Sequence, residues 1–302
     1  MKNFKIFLII FLIIISCNYN NKNNSISKIK DRAGNDIIIP KKIEKIICLS
    51  PSITEILIEI EEEDKIISVD SYSKEILEKN NISTSNMQIF DMMNPDVEKI
   101  ISLKPDIIFV NTFSVFSAKN SVDAIKNLGL SVAVIPNSDT LIAIEEDIYF
   151  LGEVLKLKDA SKKVISKMQI NIEKIKSIGD KITNKKSVYF EIGAMPNLYT
   201  FGCNVYLDDM INIIGAKNIF EDRNSWIAVS EESVLSANPD IIFTSVDYIE
   251  ILNRKSWQNI KAIKNKEVYF IKSSLLPNHN VIQALFSMAK STYPKEFKDI
   301  DK

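Results

Sequence analysis

Two twelve-residue stretches decide how the rest of the chain is read: Glu98-Lys-Ile-Ile-Ser-Leu-Lys-Pro105-Asp106-Ile-Ile-Phe109 and Glu232-Ser-Val-Leu-Ser-Ala-Asn-Pro239-Asp240-Ile-Ile-Phe243. In both, proline lies seven residues after the glutamate and Asp-Ile-Ile-Phe follows it. Asp96 and Ser230 stand two positions before the glutamates and suit helix N-caps, because a short side-chain oxygen can accept from a first-turn amide. The spacing therefore predicts two short helices, each with its glutamate at the second position. Pro105 and Pro239 end them, since proline lacks an N–H and restricts the residue before it. The Ile-Ile pair then enters a strand. Acids in a first turn complement the helix dipole by about 0.3–1 kcal/mol each. That accounts for a glutamate in each first turn, but not for matched register along the whole stretch, which points to two related lobes.

Outward from the first copy, Ile43 to Leu49, Lys65 to Val69, Asp106 to Val110 and Val132 to Ile135 read as strands. Thr54 to Ile60 and Val122 to Leu128 read as helices, with Gly129 as a C-cap. Around the second copy, Ser187 to Ile192, Ile241 to Thr244 and Val268 to Ile271 read as strands. Between the two sets, Thr140 to Ile182 contains no proline and no strand-like alternation. Val164, Met168, Ile172, Ile175 and Ile178 recur there at spacings of four and three, one face of a helix. About 20 such residues span about 30 Å. The expected fold is α/β: two lobes with largely parallel sheets, joined by one long helix. The N-terminal lobe is placed at 31–158, the connecting helix at 159–182 and the C-terminal lobe at 183–302.

The first residues are an address. Lys2 and Lys5 precede ten apolar residues, Ile6 to Ile15. That is too short for a membrane span of about 20 residues and suits a signal-peptide core. Ser16-Cys17 at its end resembles a bacterial lipoprotein signal, in which the cysteine is lipidated and becomes the new N-terminus. Residues 1–16 are thus expected as a signal peptide and 17–30, rich in Asn, as a flexible tether. Cys48, inside Ile46-Ile47-Cys48-Leu49, is expected to be a buried thiol.

The chain has 302 residues, net charge −1, seven Gly, three Cys and a single His, His279. No glycine spacing matches a phosphate-cradling loop, which excludes the standard nucleotide sites. One His cannot build the common zinc hydrolase centres, and no G-x-S-x-G elbow accompanies it. Lys and Arg form no basic block, so nothing is arranged for nucleic acid. No acid/base or nucleophile set converges, so no enzyme is expected.

Taken together, Asp31-Arg-Ala-Gly-Asn-Asp-Ile-Ile-Ile-Pro40, Ile46-Ile-Cys-Leu-Ser-Pro51-Ser-Ile-Thr-Glu55-Ile, Trp226-Ile-Ala-Val-Ser-Glu-Glu232, Asn238-Pro-Asp240 and Trp257 to Tyr269 resemble, in order and spacing, the substrate-binding proteins of ABC importers for iron-siderophore complexes, haem or cobalamin. The resemblance runs from about Asp31 to Phe297. It implies a class III periplasmic-binding-protein architecture, a rigid monomeric receptor with its ligand between the lobes and no resident cofactor. It also implies an ABC permease dimer with its ATPase as partner, onto whose arginines Glu98 and Glu232 would dock. The membrane would be engaged through the lipid on Cys17. The alternative is an extracytoplasmic lipoprotein enzyme or adhesin on the same fold.

Ligands of α/β lobes bind beyond the carboxyl ends of the strands. The expected ligand-binding residues are Ser52, Tyr72, Phe90, Met93, Phe113, Tyr199, Trp226, Asp247 and His279. Flat aromatics and thioethers suit a large planar or greasy metal complex, a ferric siderophore, haem or cobalamin. By the resemblance, Trp226 matches a ligand-contacting Trp and Met93 a haem-iron ligand, whose partner position is Asp247 here. Haem would then need His279 as its second iron ligand. Tyr72, with the stretch Leu49 to Glu55, resembles the cobalamin-binding branch. Strongly anionic siderophores generally meet Arg in this family, and only Arg32, Arg223 and Arg254 are present.

Overall fold

The computed structural model describes residues 27–300. The expected signal peptide, Cys17 and most of the expected tether lie outside that range. The end of the tether does not: Ser27–Lys30 is a strand, β1, antiparallel to β2 (Asp36–Ile39). Buried Asp31 organises the turn between them, its carboxylate accepting from the amides of Ala33 and Asn35 and from that of Val134. This ties the hairpin to the first lobe, so the fold begins before residue 31.

The N-terminal lobe continues with β3 (Ile46–Leu49), α1 (Pro51–Glu59), β4 (Ile66–Asp70), α2 (Ser71–Lys79), β5 (Gln88–Phe90), α3 (Val97–Leu103), β6 (Ile107–Asn111), α4 (Thr112–Ser117), α5 (Lys119–Asn127) and β7 (Val132–Ile135). Its five strands form a parallel sheet in the order β5-β4-β3-β6-β7. Helices cover both faces of such a sheet, which is why β3, β6 and β7 are buried at every position and read as apolar runs rather than alternations.

The strandless middle contains two helices, α6 (Leu141–Val154) and α7 (Lys158–Gly179). Lys156, in left-handed conformation at φ 61°, lies in the break between them. With 22 residues, α7 is about 33 Å long. Val164, Met168 and Ile175 are buried, and Ile172 and Ile178 pack against the same core.

Next come β8 (Ser187–Glu191), β9 (Tyr199–Phe201), α8 (Tyr206–Ile213), β10 (Lys217–Asn218), β11 (Trp226–Ala228), α9 (Glu231–Ala237), β12 (Ile241–Thr244), α10 (Tyr248–Asn253), α11 (Lys261–Lys264), β13 (Val268–Phe270) and α12 (Val281–Thr292). The second sheet is parallel in the order β10-β8-β12-β13, and β9 and β11 form a separate antiparallel ribbon. The end of α7 meets this lobe backbone to backbone: a Cβ on Gly179 would lie 2.1 Å from the Ile213 carbonyl oxygen.

The duplicated stretches fold alike. Asp96 caps α3 by accepting from the Lys99 amide, and Ser230 caps α9 by accepting from that of Ser233. Both helices have seven residues and end in a left-handed residue, Lys104 at φ 50° and Asn238 at φ 47°. The equivalence extends past what the sequence displays. The Asp106 carboxylate accepts from the amides of Glu44 and Lys45 at 2.8 and 2.9 Å, and that of Asp240 from the Ser187 amide at 2.9 Å. In return the Asp106 amide donates to the Lys45 carbonyl and the Asp240 amide to that of Ser187. Each Pro-Asp step is thus pinned beside the start of an inner strand of its sheet, β3 or β8.

Candidate functional site

Parallel order within each sheet puts all carboxyl ends on one edge, and the two edges meet between the lobes. Three observations locate the meeting. A cavity of about 400 Å³ takes Ser52 and Tyr72 from the ends of β3 and β4, and Phe270, Lys272 and Ser273 from the end of β13. Beyond the end of β7, Asp139 accepts the Trp226 indole N–H at 2.9 Å, and its carbonyl accepts from the Tyr206 amide. Farther along α1, Asn280 donates to the Glu55 carboxylate at 3.1 Å and His279 Nε2 lies 3.4 Å from that of Glu59.

The frame under Ser52 and Tyr72 is buried and fully bonded. The Thr54 hydroxyl lies 3.0 Å from that of Ser73 and 3.2 Å from Cys48 Sγ, linking α1, α2 and β3. Burial pushes the Cys48 thiol up to about 12, so it stays a neutral core group. Asp70 caps α2 through the amides of Tyr72 and Ser73, and burial raises its carboxyl above the usual range against those bonds. With its backbone amide bound, Tyr72 projects its ring outward and is 62% exposed.

Exposed aromatic and methionine side chains gather at the strand ends, whereas exposed aliphatic ones such as Ile38, Leu128, Ile142 and Ile170 are scattered over other elements. Tyr72, Met93, Phe113 and Phe116 follow the carboxyl ends of β4, β5 and β6, while Met195, Tyr199, Tyr248 and Phe270 follow those of β8, β12 and β13, and all are exposed. Tyr149, on α6, is the one exposed aromatic among the described residues away from those ends. Isolated exposed apolar residues need no cause, but their concentration on two facing edges does. Trp226 is partly buried, its ring edge-on to Phe201 and tilted against Tyr206, both at 5.9 Å.

Several expectations need correction. Phe90 is 4% exposed and belongs to the core under β5, because the last residue of that strand faces inward. Asp247 is exposed, but its carboxylate caps α10 by accepting from the amides of Ile249 and Glu250. His279 does not share the Ser52–Tyr72 cavity. It sits beside Glu59, seven residues farther along α1 and thus about 10 Å away, where the chain after β13 has turned along that helix toward α12. The hydrogen bond and charge of His279 hold the Glu59 carboxyl below its ordinary value, against its partial burial. Glu55, more buried, is raised by desolvation despite His279 and Asn280.

The arginines are spent elsewhere. Arg32 binds Glu146 and Asp147, each at 2.7 Å. Arg254 makes two bonds to fully buried Glu191, at 2.7 and 2.8 Å, and lies 4.3 Å over the Trp257 ring. Arg223 covers the Phe220 ring at 5.1 Å. Glu98 and Glu232 are exposed at equivalent positions of α3 and α9. Glu232 is held below its ordinary value by its own amide and the Ser230 hydroxyl.

Phe270, Lys272, Asp139 and Phe116 are contributors that sequence reasoning missed. Lys272, Asp139 and Phe116 follow expected strands, so a systematic reading of every strand end would have found them; Phe270 lies inside an expected strand and is placed at its end only by the structure.

The model of the family described as periplasmic binding protein matches residues 46–275. The chain is 28% identical over 280 residues to the uncharacterized ABC transporter substrate-binding lipoprotein YvrC of Bacillus subtilis, covering 90% of this chain and 87% of that protein. It is 24% identical over 309 residues to the molybdate-binding protein MolA of Haemophilus influenzae, covering 90% and 86%. Among solved structures, a possible iron-binding (periplasmic solute-binding) protein from Staphylococcus epidermidis superposes with a TM-score of 0.73 at 26% identity, covering 84% of this chain and all of that one. Among the described residues no helix is long and apolar enough to cross a membrane.

Proposed function

The chain belongs to the periplasmic binding protein family and is a substrate-binding protein of an ABC transporter; from that premise we propose that its substrate is a large metal complex with flat apolar faces, a corrinoid or a ferric siderophore. The observation that carries this reading is the row of exposed aromatic and methionine side chains along the facing strand ends of both lobes. Rings and thioethers left in solvent by a folded protein gain most from covering the face of a bulky, weakly polar ligand. Tyr72 and Phe270 would take opposite sides of it, with Ser52, Ser273 and Lys272 supplying polar contacts. Haem is less favoured, because His279 lies beside Glu59 and outside the Ser52–Tyr72 cavity. A strongly anionic siderophore is less favoured too, since two of the three arginines are held in ion pairs.

In this reading the protein binds and delivers without chemistry. Glu98 and Glu232, on equivalent helices of related lobes, meet two equivalent permease subunits, and Cys17 carries the lipid that keeps the receptor outside the cytoplasmic membrane. The test is absorption and calorimetric titration of the mature protein with cobalamin, a ferric hydroxamate, ferric enterobactin and haem in turn. Saturable binding of cobalamin or the hydroxamate, weakened at least about tenfold by Tyr72→Ala, is expected. Failure to bind any of the four would overturn the metal-complex reading.

A further inference from the structure

At the other end of α1 from the cleft, a second cavity of about 280 Å³ lies where α7 passes the ends of α1 and α12. Val164 and Met168 of α7 and Ile282 and Phe286 of α12 give it an apolar floor. Its polar lining carries both donors and acceptors, and one acceptor in it is buried and unused. His279, the only histidine of the chain, is nine-tenths buried and faces the Glu59 carboxylate through Nε2. In the neutral imidazole the proton then faces the carboxylate at Nε2, and Nδ1 is left as an acceptor. That atom is buried with no partner among the described residues. Asn171 donates its side-chain amide to the Lys167 carbonyl and Gln283 donates its own to Asn280, so each keeps its amide oxygen for another molecule. Lys167 lies 3.5 Å from Glu59, so the two charges at the rim offset one another.

We propose that this cavity is a second binding site, separate from the cleft, for a small neutral amphiphile that donates a hydrogen bond, an alcohol or a phenol. The apolar body lies on the floor and the hydroxyl meets the acceptors that the lining residues leave unused. Glu59 belongs to the first lobe, Asn171 to the connecting helix and His279 to the second lobe. A ligand held by all three fixes one spacing of the lobes, so occupancy is linked to the state of the cleft.

The single histidine makes the test direct. Untagged ¹⁵N-labelled protein is titrated with 4-ethylphenol and, separately, with ethylbenzene, which has the same body and no donor, while the His279 ring resonances are followed by NMR. A saturable shift with 4-ethylphenol, and affinity lower by about tenfold for ethylbenzene, are expected. Val164→Phe, which fills the cavity, should abolish the shift, with Ile282→Phe as its replacement should that variant not fold. Absence of a saturable shift up to about 10 mM, equal affinity for the two probes, or undiminished binding by a folded cavity-filling variant would each overturn the site.

Discussion

The indole N–H of Trp226 donates to the Asp139 carboxylate at 2.9 Å, joining the second lobe to the loop that follows the last strand of the first. The bond sets the angle of a ring that is supported by Phe201 and Tyr206 and borders the cleft. Asp139 is thus a positioning residue for Trp226. Asp139→Ala should weaken cleft-ligand binding about three- to tenfold, the value of one ordinary hydrogen bond lost behind the ring, and red-shift Trp226 emission. Asp139→Asn, which keeps an acceptor oxygen, should restore most of both. The other tryptophan, Trp257, is fully buried, so a cleft-dependent fluorescence change reports Trp226. Unchanged emission in Asp139→Ala would count against the coupling.

The exposed glutamates of α3 and α9 make no contact that supports the cleft. Glu98→Ala with Glu232→Ala should therefore leave ligand affinity within about twofold, as surface changes do. Uptake by whole cells should be lost. Full uptake by the double variant would remove the docking role.

Gly179 is required by close approach, not by its dihedral angles. A Cβ there would lie 2.1 Å from the Ile213 carbonyl oxygen, and one on Gly215, at φ 78°, would lie 2.4 Å from the Gly179 carbonyl oxygen. Gly179→Ala should destabilise by about 1–3 kcal/mol through forced backbone displacement and lower the melting temperature by several degrees. A melting temperature equal to that of the parent would show that the contact yields without cost.

The Glu59 carboxyl lies below its ordinary value of 4.5, chiefly through its hydrogen bond from His279. A depressed carboxylate contributes stability that is fully present above its unfolded-state value and is lost as pH falls through the folded one. Glu59→Gln should therefore be less stable than the parent at pH 7, and the gap should close on acidification below about pH 4.5. Urea unfolding of the two proteins at pH 7 and pH 3.5 checks this; a gap that is constant with pH would exclude the ionised Glu59 carboxylate as its source.

Much of the fold was legible from local pattern alone. Apolar runs bounded by polar turns marked β3, β6, β7, β8 and β12, and the four-and-three spacing of Val164 to Ile178 marked the buried face of α7. The repeat showed its helices because caps, prolines and β-branched pairs are local signals. The lining of the cavity between the lobes was legible only where a residue closely follows a strand, as Ser52 and Tyr72 do.

Tertiary structure decided the rest, for identifiable reasons. Phe90 and Tyr72 stand close to their strand ends, yet one is buried and the other 62% exposed, because strand pleat and helix start aim them in different directions. His279 lies in a loop after a strand, but the short turn at Ser273–Leu275 and the chain beyond it run along α1 to Glu59. Asp139 and Trp226 are far apart in sequence and become partners only because the β9–β11 ribbon brings Trp226 to the loop beyond the end of β7. Local pattern settles which segments become strands and helices and which side chains stand at their ends. The order in which strands align, and the path each loop takes, determined which of those ends meet, because such contacts depend on long-range packing that no local pattern encodes.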